Sequence, residues 1–165
     1  MAAGKTYEPI ATNTLGSAAA SVTFSSIPQG YTDLVLVTNI GDDGSSSNTQ
    51  IRFNSDSASN YSYIYLSGDG TSAYSGRYSN QPQIIIDNYS YPTTNITTSQ
   101  IVQIQNYSNS TTYKTLLART GTAANATTLV AGLWRNTAAI STIQIICQSF
   151  FDSGSTFTLY GIAAA

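Results

Sequence analysis

The stretch SVTFSSIPQGYTDLVLVTNI, residues 21–40, encodes two short strands separated by a turn. Ser21-Val22-Thr23-Phe24 alternates polar and apolar side chains, as a strand with one buried face does. Ile27-Pro28-Gln29-Gly30 is a turn signal, because Pro and Gly both interrupt regular structure. The pattern predicts β structure on both sides of this turn.

The second of these strands carries apolar side chains on both faces. Alternate residues of a strand point to the same side. One face carries Leu34, Leu36, Thr38 and Ile40. The other face carries Val35 and Val37, and strands that are apolar on both faces are typically covered on both. We therefore expect this strand to be buried from either side.

The same alternation of short strand and turn continues to the end of the chain. Further strand candidates lie at residues 50–53, 61–66, 83–87, 101–105, 113–119, 127–134, 140–148 and 156–162. Residues 71–80 are rich in Ser, Tyr and Gly and read as a loop. About ten strands and essentially no helix favour an antiparallel all-β sandwich or barrel. We see no domain boundary and predict a single domain over residues 1–165.

Composition argues against an enzyme. The 165 residues include no His, one Cys and eight Asp or Glu, and only 8% are charged. Without His there is no Ser-His-Asp triad and no side chain whose unperturbed pKa lies near neutrality. Lys5 and Lys114 are the candidates for a Ser-Lys pair, but neither lies in a recognisable motif. The spacing of the carboxylates selects no pair for glycoside hydrolysis.

Charge, cysteine and terminal patterns limit the partners. The six Lys and Arg residues are scattered, so we expect no nucleic acid partner and no membrane partner. The first residues lack the apolar region of a signal peptide, which predicts a protein made in the cytoplasm without an export signal. Cys147 lies in an apolar run and is expected to be a buried thiol. The loop residues Asp42, Asp43, Asp56 and Asp69 lack calcium-loop spacing, so no metal or other cofactor is expected.

Five segments together carry a family resemblance. They are Tyr7-Glu8-Pro9-Ile10-Ala11, Val22-Thr23-Phe24-Ser25-Ser26-Ile27-Pro28, Ile51-Arg52-Phe53-Asn54, Gly132-Leu133-Trp134-Arg135 and Gly154-Ser155-Thr156-Phe157-Thr158-Leu159-Tyr160-Gly161-Ile162. The pattern resembles small β-sandwich virion proteins of tailed bacteriophages, particularly of cyanophage type. Residues 55–99 fall outside it.

This resemblance implies a jelly-roll-like sandwich that serves as a structural component of a virion. Such proteins are capsid cement or decoration proteins, which bridge neighbouring capsid subunits, or tail-fibre and tail-tip components. We therefore expect a non-enzymatic decoration protein that forms a homo-oligomer, with a trimer as the first guess, and contacts the major capsid protein. The alternative is a tail-fibre module that recognises host surface glycans. Residues 1–14 are the expected tether arm, and residues 162–165 are the second expected tether.

Aromatic and edge residues are the candidate contacts. Tyr61, Tyr63 and Tyr65 share one strand face, and Ile64 and Leu66 lie on the opposite face. These three tyrosines either pack against the second sheet, form an assembly interface or stack on sugars. Trp134 either packs in the core or anchors a ligand or partner, with core packing favoured at a strand end. Arg135 either stacks on it or forms an interface contact. Tyr7 and Pro9 complete the candidate interface set.

Overall fold

A computed structural model of the chain describes residues 6–41, 47–88, 90, 92, 96–122 and 125–163. Within these ranges the chain forms twelve strands and no helix, which confirms the all-β prediction. The strands are β1 Tyr7–Thr14, β2 Ala19–Phe24, β3 Asp33–Ile40, β4 Thr49–Phe53, β5 Tyr61–Gly68, β6 Ala73–Gln81, β7 Ile84–Ile85, β8 Thr98–Gln105, β9 Lys114–Gly121, β10 Thr127–Trp134, β11 Ile143–Phe151 and β12 Thr156–Ile162.

The strands form two antiparallel sheets of unequal width. The wide sheet has the order β1-β12-β3-β8-β9-β10-β5-β6, and the narrow sheet has the order β2-β11-β4-β7. Their facing sides enclose one apolar core, as in a β-sandwich. The jelly-roll part of the prediction stays a prediction. A jelly roll has eight strands in total, whereas the two sheets here have eight and four strands.

Alternation along the strands decides which side chains enter the core. On β3, Leu34, Leu36 and Ile40 are completely buried and face the narrow sheet. Val35 on the opposite face is also buried, but Val37 is exposed. The expectation of a strand covered on both faces is therefore wrong at Val37, because the described chain places no second layer over this part of the wide sheet.

Residues 7–14 are not an arm. They form β1, which pairs with β12 from Tyr7 opposite Ile162 to Thr14 opposite Thr156. The tether prediction is therefore wrong for these residues, since they complete an edge of the wide sheet. The prediction is also wrong for residues 162 and 163, since Ile162 ends β12 and the Ala163 N–H donates to the Thr6 carbonyl at 3.1 Å. Residues 1–5 and 164–165 of the expected tethers lie outside the described residues. The expected loop at residues 71–80 is likewise mostly strand β6, the opposite edge of the wide sheet.

A belt of buried polar side chains crosses the inner face of the wide sheet. It consists of Thr38, Gln100, Thr120, Thr128 and Ser67, on the five adjacent strands β3, β8, β9, β10 and β5. The belt holds the segment that follows β7. Thr120 Oγ1 donates to the Ile86 carbonyl at 2.8 Å, and Thr128 Oγ1 donates to the Asn88 carbonyl. These bonds satisfy backbone groups that a crossing segment would otherwise leave unpaired.

The wide sheet has eight strands against four in the narrow one. Near each of its edges a tyrosine ring lies over a glycine of an adjoining strand. The Tyr31 ring lies against Gly161 on β12, and the Tyr65 ring lies against Gly76 on β6. Tyr78 stacks on Tyr63 with ring centroids 5.0 Å apart and continues this aromatic layer onto the edge strand.

Candidate interaction surface

The outer face of the wide sheet exposes large aliphatic side chains. The exposed fractions are 62% for Leu66, 53% for Ile64, 53% for Leu129, 50% for Leu117 and 37% for Val37. Single exposed aliphatic residues are normal on soluble proteins, but contiguous groups of them mark interaction sites. Whether these five residues adjoin one another therefore decides whether they form an interaction site.

Strand register places them side by side. Leu66 lies opposite Leu129, and Ala131 lies between Ile64 on one side and Leu117 on the other. In the row of Leu129, the sheet continues through Arg119 and Ile101 to Val37. We call the set Val37, Ile64, Leu66, Ile101, Leu117, Leu129 and Ala131 the apolar patch. It spans β3, β8, β9, β10 and β5 without interruption by another element.

The surface of the apolar patch is not flat. Ala131 is the small residue in its row, and the larger Ile64 and Leu117 stand on either side of it. A groove of about 310 Å³ follows this line of the sheet, lined by side chains of the patch together with Gln103 and Arg119. Arg119 and Arg77 are exposed on the same face, and Arg77 lies opposite Ile64 on β6. The surface is thus an apolar depression with projecting aliphatic walls, with Arg119 among the patch residues and Arg77 at one side.

The tyrosine stripe of β5 lies inside the protein. Tyr61, Tyr63 and Tyr65 are all buried, so their interpretation as a surface ladder or sugar platform is wrong and packing is correct. The Tyr61 hydroxyl reaches polar backbone at the end of the core, where it accepts from the Phe53 N–H at 3.0 Å. Burial raises the pKa of the Tyr61 phenol far above its ordinary value. Tyrosine suits this face because its polar tip still finds a partner when its ring is buried.

Trp134 and Arg135 also serve the fold. Trp134 is almost completely buried and packs between Phe53 and Tyr61, which confirms it as a core residue. Arg135 donates to Ser62 Oγ, to the Ser59 carbonyl at 2.6 Å and to Asn80 Oδ1 at 2.8 Å. Its guanidinium therefore joins β5 to the end of β6 instead of facing a partner.

Tyr7 and Pro9 are the predicted contacts that remain accessible. Both lie exposed on β1, and Tyr7 packs edge-on against Tyr160 with ring centroids 6.4 Å apart. Proline removes a backbone donor, which suits an edge strand. The pairing register shifts between Pro9 and Ala11, so this edge is irregular as well. β1 is a surface edge, but it does not adjoin the apolar patch.

The groups considered for chemistry have structural partners. Lys114 is buried and its Nζ donates to the Thr112 and Thr137 carbonyls at 2.7 and 3.0 Å. Desolvation lowers the pKa of this amine. Asp69 Oδ1 accepts from the Thr71 and Ser72 N–H groups of its own turn. Lys5, Asp42 and Asp43 lie outside the described residues.

The described ranges offer no group of three or more His, Cys, Asp or Glu that could hold a metal ion. They also contain no helix of the length and apolar character needed to cross a membrane. Cys147 is buried on β11, as expected from the apolar run around it.

The sequence contained a signal for the apolar patch. Ile64 and Leu66 alternate with the tyrosines of β5, and Leu129 with Val130 on β10, so several strands are apolar on both faces. Two apolar faces are typical of a strand covered on both sides, as expected above for β3 alone. The structure shows instead that the second apolar face is exposed.

Comparison with known proteins adds no identification. No protein-family model matches the chain. No curated protein matches it either.

Proposed function

We propose that this protein is a non-enzymatic structural component of a tailed-phage virion, most specifically a capsid decoration protein that forms a homo-oligomer. The observation that carries the assembly role is the apolar patch on the outer face of the wide sheet. The virion location is supported by the resemblance of segments such as 7–11 and 154–162 to phage β-sandwich proteins.

The chemistry of the surface suits permanent assembly. The apolar patch is aliphatic, and Arg119 is the charged side chain set among its residues. Burial of the patch against a neighbour therefore requires the desolvation of few ions. Each Å² of apolar surface removed from water stabilises an assembly by roughly 25 cal/mol before the cost of association. The exposed edges β1 and β6 provide backbone groups for pairing with a capsid subunit.

The first test is the copy number in purified virions. Quantitative mass spectrometry against the major capsid protein should give a ratio near one copy per capsid subunit, or one for every three. A ratio of a few copies per hundred capsid subunits would point to the tail. Absence from virions would overturn the proposed location.

A tail module that binds glycans is the second candidate, and one observation favours it. Tyr74 and Tyr78 are exposed on the same face of β6, and the Tyr74 hydroxyl donates to Asp69 Oδ2 at 3.1 Å. Exposed tyrosine rings offer an apolar face to a sugar ring, and the hydroxyl and carboxylate groups offer hydrogen-bonding partners to its hydroxyls. Binding to a panel of host surface polysaccharides that Tyr78→Ala abolishes and Tyr113→Ala preserves would support this role.

A further inference from the structure

We propose that the apolar patch is covered by a second copy of this chain, with the two wide sheets packed face to face. The inference deepens the proposed assembly role and rests on it, but it does not depend on a location in a virion. It leaves the edges β1 and β6 for other partners.

The size of the face matches what a stable dimer needs. Eight strands about 4.8 Å apart, each about eight residues long at about 3.3 Å per residue, cover roughly 900 Å². A standard stable interface buries about 800 Å² on each partner. The whole outer face of the wide sheet is therefore large enough to form such an interface, with the apolar patch on five of its eight strands and the remaining strands around it.

The shape of the apolar patch suits pairing with itself. An isologous contact requires that one surface contain both the projections and the recesses. Here Leu66, Leu117 and Leu129 project, while Ala131 forms the recess between larger neighbours. A leucine of one copy can enter the recess of the other, and the same contact then recurs by symmetry. Two sheets that pack face to face lie about 10 Å apart, with side chains from both sheets interdigitated.

The charges on this face permit the pairing. The net charge of the chain is −2, so two copies repel each other weakly. Arg119 lies in the row next to Ala131, and its long side chain can extend along the apolar surface and keep its guanidinium in water. The scattered basic residues do not suit binding of a nucleic acid. The partners that could cover the apolar patch are therefore a second copy of this chain or another protein.

Sedimentation velocity of the full chain tests the proposal. The wild type should sediment as a dimer, with twice the mass of the 17.5 kDa chain, over a wide concentration range. Replacing Leu66, Leu117 and Leu129 together by Thr should give the single-chain mass, because Thr keeps the β propensity of these positions but removes apolar contact. Phe150→Ser removes an exposed aromatic from the narrow sheet and should leave the mass unchanged.

Ala131→Phe distinguishes a fitted contact from general stickiness. The variant adds apolar surface but fills the recess, so it should raise the dissociation constant by about tenfold or more. Circular dichroism checks that the fold is kept. A wild type that remains a single chain, an oligomer that persists in the triple Thr variant, or tighter association of Ala131→Phe would each overturn the proposal. These results are independent of the copy number in virions, so either idea can fail alone.

Discussion

The indole Nε1 of Trp134 donates a 2.8 Å hydrogen bond to Oδ2 of Asp56, although 78 residues separate them in the chain. The same carboxylate accepts from Asn60 Nδ2 at 2.8 Å and from the Ala58 N–H at 3.0 Å. Desolvation opposes the charged carboxylate, but these hydrogen bonds outweigh it and hold the pKa of Asp56 below its ordinary value. Asp56 thus fixes the loop after β4 to the end of β10.

Asp56→Ala should lower the free energy of unfolding by about 1–3 kcal/mol, because it leaves the buried indole N–H without its acceptor. Urea denaturation measures the change. Trp134→Phe removes the donor and serves as the partner variant in a double-mutant cycle. The double variant should lose less than the sum of the single losses; fully additive losses would show that the two groups do not act together.

The buried carboxyl of Asp87 should make stability depend on pH. Desolvation is the main cause that raises its pKa from 3.8 to about 7, against the hydrogen bond from the Thr49 N–H. Between pH 4 and 7 the folded state therefore holds a proton that the unfolded state has lost. The free energy of unfolding should fall as pH rises through this window, with a slope approaching about 1.4 kcal/mol per pH unit.

Asp87→Asn should remove most of this slope, because the amide resembles the protonated carboxyl and does not ionise. The comparison is clean because the sequence contains no His to titrate in the same range. Asp69→Asn is the matched control: hydrogen bonds from its own turn lower the pKa of Asp69, so it stays charged throughout the window. An unchanged slope in Asp87→Asn would contradict the assignment.

The two glycines beneath tyrosine rings should differ in their tolerance of alanine. A Cβ on Gly161 would overlap the Cγ and Cδ atoms of Tyr31, near the attachment of the ring. A Cβ on Gly76 would lie 2.6 Å from Cε1 of Tyr65, at the far end of its side chain. Gly161→Ala should therefore cost about 1–3 kcal/mol, and Gly76→Ala less.

Thermal unfolding of the two variants measures this difference. Gly30→Ala is the control, since nothing lies within 4 Å of its added Cβ. Equal losses at positions 161 and 76 would argue against contact with the rings as the cause.

Arg135→Lys should loosen the edge strand β6. Lysine keeps the charge but cannot hold Ser59, Ser62 and Asn80 with one planar group. Hydrogen exchange of residues 73–81 should become several-fold faster, while exchange in β9 stays unchanged. Arg77→Lys alters an exposed arginine of the same strand and should have little effect. Unchanged exchange in Arg135→Lys would mean that the bridge does not hold this edge.

Periodicity predicted the central strands well. The segments at 101–105, 127–134 and 156–162 correspond to β8, β10 and β12, because each alternates between a core side and an outer side. Periodicity did not predict the edge strands β1 and β6. Most of their residues are exposed on both faces, so burial imposes no alternation on their sequences.

The orientation of β5 illustrates what periodicity leaves undecided. Its two faces are Tyr61, Tyr63 and Tyr65 on one side and Ile64 and Leu66 on the other, and both are apolar enough for a core. The choice depends on neighbours distant in sequence: Phe53 and Trp134 pack against Tyr61, and Gly76 leaves space for Tyr65. Because the tyrosine face of β5 enters the core, Ile64 and Leu66 are exposed and form part of the apolar patch. The sequence of β5 alone does not determine this orientation.

The pairing of β1 with β12 bears on how the molecule responds to force. Tyr7 and Ile162 are direct partners, so a pull applied at these two positions acts across the ladder instead of along it. Hydrogen-bonded pairs would then open one after another from that end, as in a zipper, and each step would need little tension. Joined at both of these positions to larger bodies, the domain would extend readily, whereas an attachment through the middle of the wide sheet would load many strands at once.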